Sequence, residues 1–158
     1  MGSKVVFFGY FLSACYQYAK LGPMKTPNNQ LAQIALVVDD YDRAIDFYTR
    51  ILGFDLVEDT RINEEKRWVV VRPQGGGCAL LLARAANPHQ ATRVGDQTGG
   101  RVFLFLHTDH FEVVFERLIT HEVKIVRPPS QEDFGRVCVF EDLYGNLWDL
   151  IEPKASIG

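Results

Sequence analysis

The sequence predicts an α+β fold made of two copies of a βαβββ module, and three observations lead to it. An apolar strand-like run, a helix start and an amphipathic helix begin at Ile34 and recur about seventy residues later, from Val102. In both helices the apolar residues recur at spacings of three and four, which places them on one face. Each helix is followed by three more strand-like segments. Two such sheets would form a curved, cup-shaped mixed sheet around a cavity, with the helices on its outside.

The first module is predicted to span residues 31–84. Residues 34–38 read as its first strand, Asp39 and Asp40 as a helix start, and Gly53 as the helix stop. Three strands follow at residues 54–59, 67–72 and 78–83, and the last two are joined by a glycine-rich turn.

The second module is predicted to span residues 101–153 with the same plan. Its first strand is residues 102–106, Thr108 or Asp109 caps its helix, and Phe111 begins the apolar face of that helix. Strands are expected at residues 123–126, 136–140 and 147–151, with Gly145 in the turn before the last of them.

Two segments resemble a known family. They are residues 40–48 leading to Leu52-Gly53-Phe54, and residues 140–153. With both at this separation, the chain resembles the vicinal oxygen chelate superfamily, which includes glyoxalase I, bleomycin-resistance proteins, extradiol dioxygenases and fosfomycin-resistance enzymes. The resemblance covers residues 31–153 and implies a homodimer with cavities at or near the contact between subunits. It is specific for the fold and leaves open whether the chain is an enzyme.

The resemblance also implies where a metal would be held, at the start of the first strand and in the last strand of each module. Those places carry Gln33, a position near Leu82, Arg101 and Asp149. A leucine has no donor atom, and an arginine brings a permanent positive charge that repels a cation. We therefore expect no bound metal; if a divalent ion is present after all, Gln33 and Asp149 are its expected ligands.

The alternation of side chains along a strand indicates which residues face the cavity. Val102, Leu104 and Leu106 are expected under the helix, which leaves the other residues of that strand facing the cavity. Trp68 could line the pocket or belong to the core, since periodicity does not decide. The predicted ligand-binding residues are Gln33, Trp68, Arg101, Phe103, Phe105, His107 and Asp149. This apolar and aromatic lining with a few polar groups is typical of a small-molecule site.

Arg101 and Asp149 allow two interpretations. They could form an ion pair that replaces a lost metal and joins the two edges of the cavity. Alternatively, Arg101 could hold an anionic ligand, and the two roles are compatible because a guanidinium has five donors.

Two classes of function follow. The first is metal-independent binding of a small, partly aromatic and anionic molecule, of the sequestration or resistance type. The alternative is a glyoxalase-type lyase or isomerase that uses one divalent metal ion as a Lewis acid on a small oxygenated substrate.

Composition sets further limits. With 158 residues and a formal net charge of −3, the chain has no basic stripe to neutralise phosphates, so nucleic acid is not an expected partner. The three cysteines have no zinc spacing and suit a reducing compartment, so we expect a cytoplasmic bacterial protein without a membrane span.

Three segments lie outside the modules. Residues 1–30 are either a leader, with Cys15 in a lipoprotein-like export box, or an extension before a start at Met24. Residues 85–100 form a long linker, either a lid over the cavity or a connection that lets modules pair between chains. Residues 154–158 are a short tail.

Overall fold

The structure is a computed structural model that describes residues 28–154. The predicted leader, Cys15, Met24 and all but the first residue of the tail lie outside the described residues. The described part contains eight strands and three helices in two repeated groups. Their bounds are β1 Gln33–Val38, α1 Tyr41–Asp46, β2 Asp55–Arg61, β3 Arg67–Arg72, β4 Ala79–Arg84, α2 Pro88–Ala91, β5 Val102–His107, α3 Phe111–Thr120, β6 Ile125–Glu132, β7 Gly135–Glu141 and β8 Leu147–Pro153.

The strands form two four-stranded mixed sheets with the same topology. Their orders are β1-β4-β3-β2 and β5-β8-β7-β6. In each sheet the first and last strands of the module pair in parallel, and the other pairs are antiparallel. The predicted α+β class with two βαβββ modules is confirmed.

The first helix begins and ends where the sequence indicates. The Asp40 side chain accepts a hydrogen bond from the backbone N–H of Arg43, which caps α1. The helix continues as a π-helical segment, Phe47–Ile51, and Gly53 follows with a φ of 75°. A positive φ is accessible to glycine without steric cost, which explains the stop.

The second helix begins later than predicted. His110, and not Thr108 or Asp109, occupies the cap position of α3, and its side chain makes no capping hydrogen bond. Thr108 Oγ1 instead accepts from the backbone N–H of His110, and Glu152 Oε1 accepts from that of Phe111 at 3.4 Å. A carboxylate from a neighbouring strand therefore takes the place of a local cap.

The strand predicted at residues 123–126 is also displaced, because β6 runs through Pro128 and Pro129. The pairing with β7 is irregular between Arg127 and Ser130, which is where the two prolines lie. Proline is tolerated at a bulge on an edge strand, because the ladder has no hydrogen bond at that position. The strand therefore continues past the two prolines and pairs with β7 again from Ser130.

A buried polar cluster joins the modules. Tyr48 Oη donates to Asp142 Oδ2 at 2.7 Å, and Asn146 Nδ2 donates to the same oxygen at 2.9 Å. The backbone N–H groups of Tyr144 and Asn146 donate to the other oxygen, Oδ1. Burial and the adjacent carboxylate raise the pKa of Tyr48 well above its usual value, so its hydroxyl stays a donor. The buried carboxylate of Asp142 is therefore well supplied with donors, which limits the cost of burying it.

The linker is anchored along the free edge of β1. Gln97 Oε1 accepts from the backbone N–H of Val37 at 2.5 Å, and Gln97 Nε2 donates to the carbonyl of Ala35 at 3.2 Å. The side-chain amide thus makes the two hydrogen bonds that a neighbouring strand would make. Within the described residues, no helix is long and apolar enough to cross a membrane.

Candidate functional site

Each sheet has one face toward its helix and one away from it, which we call the helix-free face. The main core cluster takes alternate residues of the edge strands, such as Leu36 and Val38 of β1 and Leu104 and Leu106 of β5. Five buried apolar residues do not belong to that cluster and lie on the helix-free faces: Val70, Ala79, Val137, Val139 and Ile151. The predicted alternation therefore holds for most positions, and it places Phe105 and Asp149 on the helix-free face of the second sheet.

A row of four register partners crosses this face. Phe105 of β5 pairs with Asp149 of β8, Asp149 with Val139 of β7, and Val139 with Arg127 of β6. Phe105 is 62% exposed, an unusual position for a large aromatic side chain. Register partners point to the same side of a sheet, so an aromatic ring, a carboxylate and a guanidinium share one surface.

The carboxylate in this row is incompletely bonded. Asp149 Oδ1 is buried and has no hydrogen-bond partner in the part of the chain that the structure describes. Burial raises the pKa of Asp149 above its usual value, and the charge of Arg127 opposes this rise. A buried acceptor without a partner carries a desolvation cost that an incoming donor would relieve.

The predicted ion pair between Arg101 and Asp149 is not formed. Arg101 is exposed, and none of the ion pairs among residues 28–154 includes it. The cation that acts on Asp149 is Arg127. The reason lies in the chain path, since Arg101 precedes β5 and is not part of the sheet.

The strand register also revises the four places where related proteins would hold a metal. Leu82 is fully buried on the helix side, so Leu81 occupies the helix-free position of β4. Counted back from the helix starts at Tyr41 and Phe111, the counterpart of Gln33 is Phe103 and not Arg101. The four positions are therefore Gln33, Leu81, Phe103 and Asp149.

This set does not fit a divalent metal ion. Leu81 and Phe103 have no donor atom, and a carboxylate with one amide is a sparse ligand set. The described residues contain no group of three His, Cys, Asp or Glu side chains that could hold an ion. Phe103 also departs from strict alternation, because an irregular pairing between Val102 and Leu104 lets it pack against the core.

Three of the predicted residues, Phe105, His107 and Trp68, line one of two cavities. An apolar cavity of about 400 Å³ is lined by both modules, including Ile34, Leu80, Phe105, His107 and Trp148. A second cavity, of about 510 Å³, contains Trp68 together with Leu81 and Ala83. Trp68 therefore lines a cavity and is not part of the main core cluster. Gln33, half-buried at the start of β1, pairs with Ala79.

Of the three cations that line the Trp68 cavity, Lys66, Arg67 and Arg84, the two arginines already have partners. Arg67 forms ion pairs with Asp42 at 2.6 Å and with Asp59 at 2.5 Å. Its guanidinium lowers the pKa of Asp59, mainly through their hydrogen bond. Arg84 donates to the backbone carbonyl of Glu65, and both arginines lie over the ring of Tyr41. This cavity therefore has less free positive charge than its composition suggests.

Arg127 was not among the predicted site residues. It precedes the two prolines of β6, and a strand ending at residue 126 leaves it outside the sheet. Its charge, opposite to that of Asp149 two strands away, could have indicated a role. That pairing can be predicted only if β6 is extended through the two prolines.

The family assignment follows from a family model and the fold. Residues 30–150 match the model of the Glyoxalase/Bleomycin resistance protein/Dioxygenase superfamily, which is most of the chain. The chain belongs to this superfamily, and the resemblance found in the sequence is confirmed.

Several relatives and structures agree with this assignment. An uncharacterised protein from Shewanella frigidimarina is 57% identical over 124 residues, which cover 77% of this chain and 92% of that protein. YetH, an uncharacterised protein of Bacillus subtilis, is 28% identical and covers 78% of this chain and 98% of its own length. TnmS3, an antibiotic binding protein from Streptomyces sp. CB03234, has a TM-score of 0.66 at 28% identity, with 82% of this chain and 100% of TnmS3 covered.

Proposed function

We propose that this protein binds a small, partly aromatic molecule without a metal ion. The observation that carries the proposal is the composition of the four metal-ligand positions, two of which are Leu81 and Phe103. A metal-dependent reaction needs a cation held in a defined geometry, and these side chains contribute nothing to holding one. The helix-free face nevertheless carries an exposed aromatic ring, a carboxylate and a guanidinium, which together can bind a small molecule.

The aromatic character of the ligand is argued from two side chains. Phe105 exposes most of its ring beside Asp149, and Trp68 lines the cavity on the first sheet. A flat aromatic molecule gains both apolar burial and ring-to-ring contact on such surfaces. Similarity to TnmS3, described as an antibiotic binding protein, supports a sequestration role.

The charge expected on the ligand changes with the geometry. An anionic group would be held by Arg127, because Arg101 lies outside the sheet and Arg67 is paired to two carboxylates. Arg127 and Asp149 attract each other without forming an ion pair within 4.0 Å.

A homodimer belongs to the same proposal. Phe105 on the helix-free face and Leu56, Val57 and Val126 on the two outer strands are exposed. Large apolar side chains exposed on strands favour association, and a second copy of the chain would cover them. A ligand would then contact residues of both modules, from one chain or from two.

The alternative function, a lyase or isomerase with a divalent metal ion, would rely on Gln33 and Asp149. These residues lie on different modules, and Asp149 Oδ1 has no hydrogen-bond partner among the described residues. Such an enzyme would need most of its metal coordination from water and substrate. The metal content of the protein therefore separates the two functions.

The proposal is tested by isothermal titration calorimetry with a panel of planar aromatic anions: 2-naphthoate, 6-hydroxy-2-naphthoate and anthraquinone-2-sulfonate. We expect at least one to bind the chelator-treated protein with a dissociation constant in the micromolar range. Phe105→Ala should weaken that binding about fivefold or more, which corresponds to about 1 kcal/mol of aromatic contact.

Phe134→Ala is the matched control. Phe134 is 56% exposed, close to the exposure of Phe105, but it lies in the turn between β6 and β7. Its replacement should leave the binding unchanged. Equal effects of the two substitutions, or no binding by any panel member at millimolar concentration, would reject an aromatic binding site on this face.

A further inference from the structure

The unpartnered oxygen of Asp149 restricts what the ligand must carry. Oδ1 is buried and lacks a hydrogen-bond partner among the described residues. Natural structures rarely leave a buried acceptor without a donor, and a carboxylate oxygen accepts only. The group that completes this site therefore has an O–H or N–H to donate, so an anionic or purely apolar group does not suit this oxygen.

The neighbouring side chains indicate where that donor is attached. Phe105 is the direct register partner of Asp149 on the adjacent strand, so their backbones are about 5 Å apart and their side chains leave the same face of the sheet. A flat ligand lying on the ring of Phe105 would bring a substituent on its own edge close to Asp149. A hydroxyl or amino group attached to an aromatic ring matches this arrangement.

Arg127 marks the opposite end of the row. Its backbone lies two strands from that of Asp149, about 10 Å away across Val139. Asp149 lies between Phe105 and this end of the row, so a ligand ring on Phe105 reaches the guanidinium only through a part that extends past Val139. An acceptor or carboxylate on that part suits the guanidinium.

We propose that Asp149 is a specificity-determining residue that accepts a hydrogen bond from a hydroxyl or amino substituent of an aromatic ligand lying on Phe105. The inference rests on the proposed function and names its ligand class, a hydroxy- or amino-substituted aromatic molecule. The competing occupant of the same oxygen is a donor from a second copy of the chain, and the experiment separates the two.

Two probes that differ only in the donor test this directly. The probes 6-hydroxy-2-naphthoate and 6-methoxy-2-naphthoate share the ring and the carboxylate, but the methoxy group has no hydrogen to donate. We expect the wild-type protein to bind the hydroxy probe about tenfold more tightly in calorimetry, as a hydrogen bond to a charged group implies.

Substitutions assign the difference to one residue. Asp149→Leu removes both oxygens and should bring the affinity ratio of the two probes close to one. Asp149→Asn keeps one oxygen and should give an intermediate ratio. Asp55→Asn, a change of the same kind at an exposed position of β2, should leave the tenfold ratio intact.

Each outcome has a distinct meaning. If both probes bind wild type equally, the hydrogen bond to Asp149 is wrong while the aromatic site stands. If neither probe binds, and the rest of the aromatic panel also fails, the proposed function itself is wrong. If Asp149→Leu weakens dimerisation in light scattering and leaves the probe ratio at ten, the partner of Oδ1 is the second subunit and the inference is overturned.

Discussion

Asp149 is the residue at which the proposed function and the stability of the fold oppose each other. Its carboxyl is partly buried without a hydrogen-bond partner for Oδ1 among the described residues, and burial raises its pKa. A raised pKa means that the folded state holds the proton more tightly than the unfolded chain, where an aspartate titrates near about 3.9. The folded protein therefore loses stability as the pH rises from about 4 through the raised pKa.

This leads to a prediction for Asp149→Asn in the absence of ligand. The variant should be more stable than wild type at pH 7, because it removes the cost of ionising a partly buried carboxyl. Since Asp149 is partly screened by solvent, the gain should be small, on the order of 0.5 kcal/mol or about 1–2 °C in Tm.

The gain should disappear near pH 3, where the wild-type carboxyl is protonated in both states. Differential scanning calorimetry at the two pH values measures it, with Asp55→Asn as the exposed control. A variant less stable than wild type at pH 7 would mean that Asp149 has a stabilising partner, as an ion pair with Arg101 would have provided.

At the scale of secondary structure elements, the linker is held by a close backbone approach. Gly95 has a φ of 78°, and a Cβ placed on it would overlap the backbone carbonyl of Tyr144. The linker therefore lies against the β7–β8 turn, and Tyr144 Oη in turn donates to the carbonyl of Asp40 in the first module at 3.1 Å. Together with Gln97 on β1, these contacts connect the linker to both modules.

Gly95→Ala should consequently destabilise the protein more than Gly99→Ala. Both glycines have positive φ, so both substitutions cost about 1–2 kcal/mol of backbone strain. Only Gly95 has a neighbour within 4 Å of the added carbon, and a backbone carbonyl moves at a cost of about 1–3 kcal/mol more. Urea unfolding measures the difference, and equal losses for the two variants would show that the linker does not pack on the turn.

The bounds of helices and strands were predictable where local sequence patterns set them. They were less predictable where residues distant in the chain set them. The capping Asp40, the stop at Gly53 and the bounds of β3 follow from spacing and residue type alone. The start of α3 does not follow from local sequence, because the backbone N–H of Phe111 donates to the side chain of Glu152, which lies on a distant strand. The extent of β6 was missed because Pro128 and Pro129 normally end a strand, and only an edge position with irregular pairing tolerates them.

At the scale of the whole molecule, the duplication explains the fold, because both sheets have the same strand order. The repeated strand–helix pattern was visible in the sequence, so the two-module architecture could be predicted. The neighbours of Asp149 could not be predicted, because they depend on the order of the strands and on whether Arg101 is part of the sheet. Strand order placed Phe105 and Arg127 in the row of Asp149 and left Arg101 outside.

The central claim is that an aromatic molecule binds to this face without a metal ion, in a dimer. Native mass spectrometry of protein purified without chelator and then mixed with 6-hydroxy-2-naphthoate tests all three parts in one spectrum. We expect the mass of a dimer with one probe molecule per subunit and no added Ni, Zn, Fe or Mn. A metal ion in each subunit, with the probe lost when the metal is removed, would contradict it.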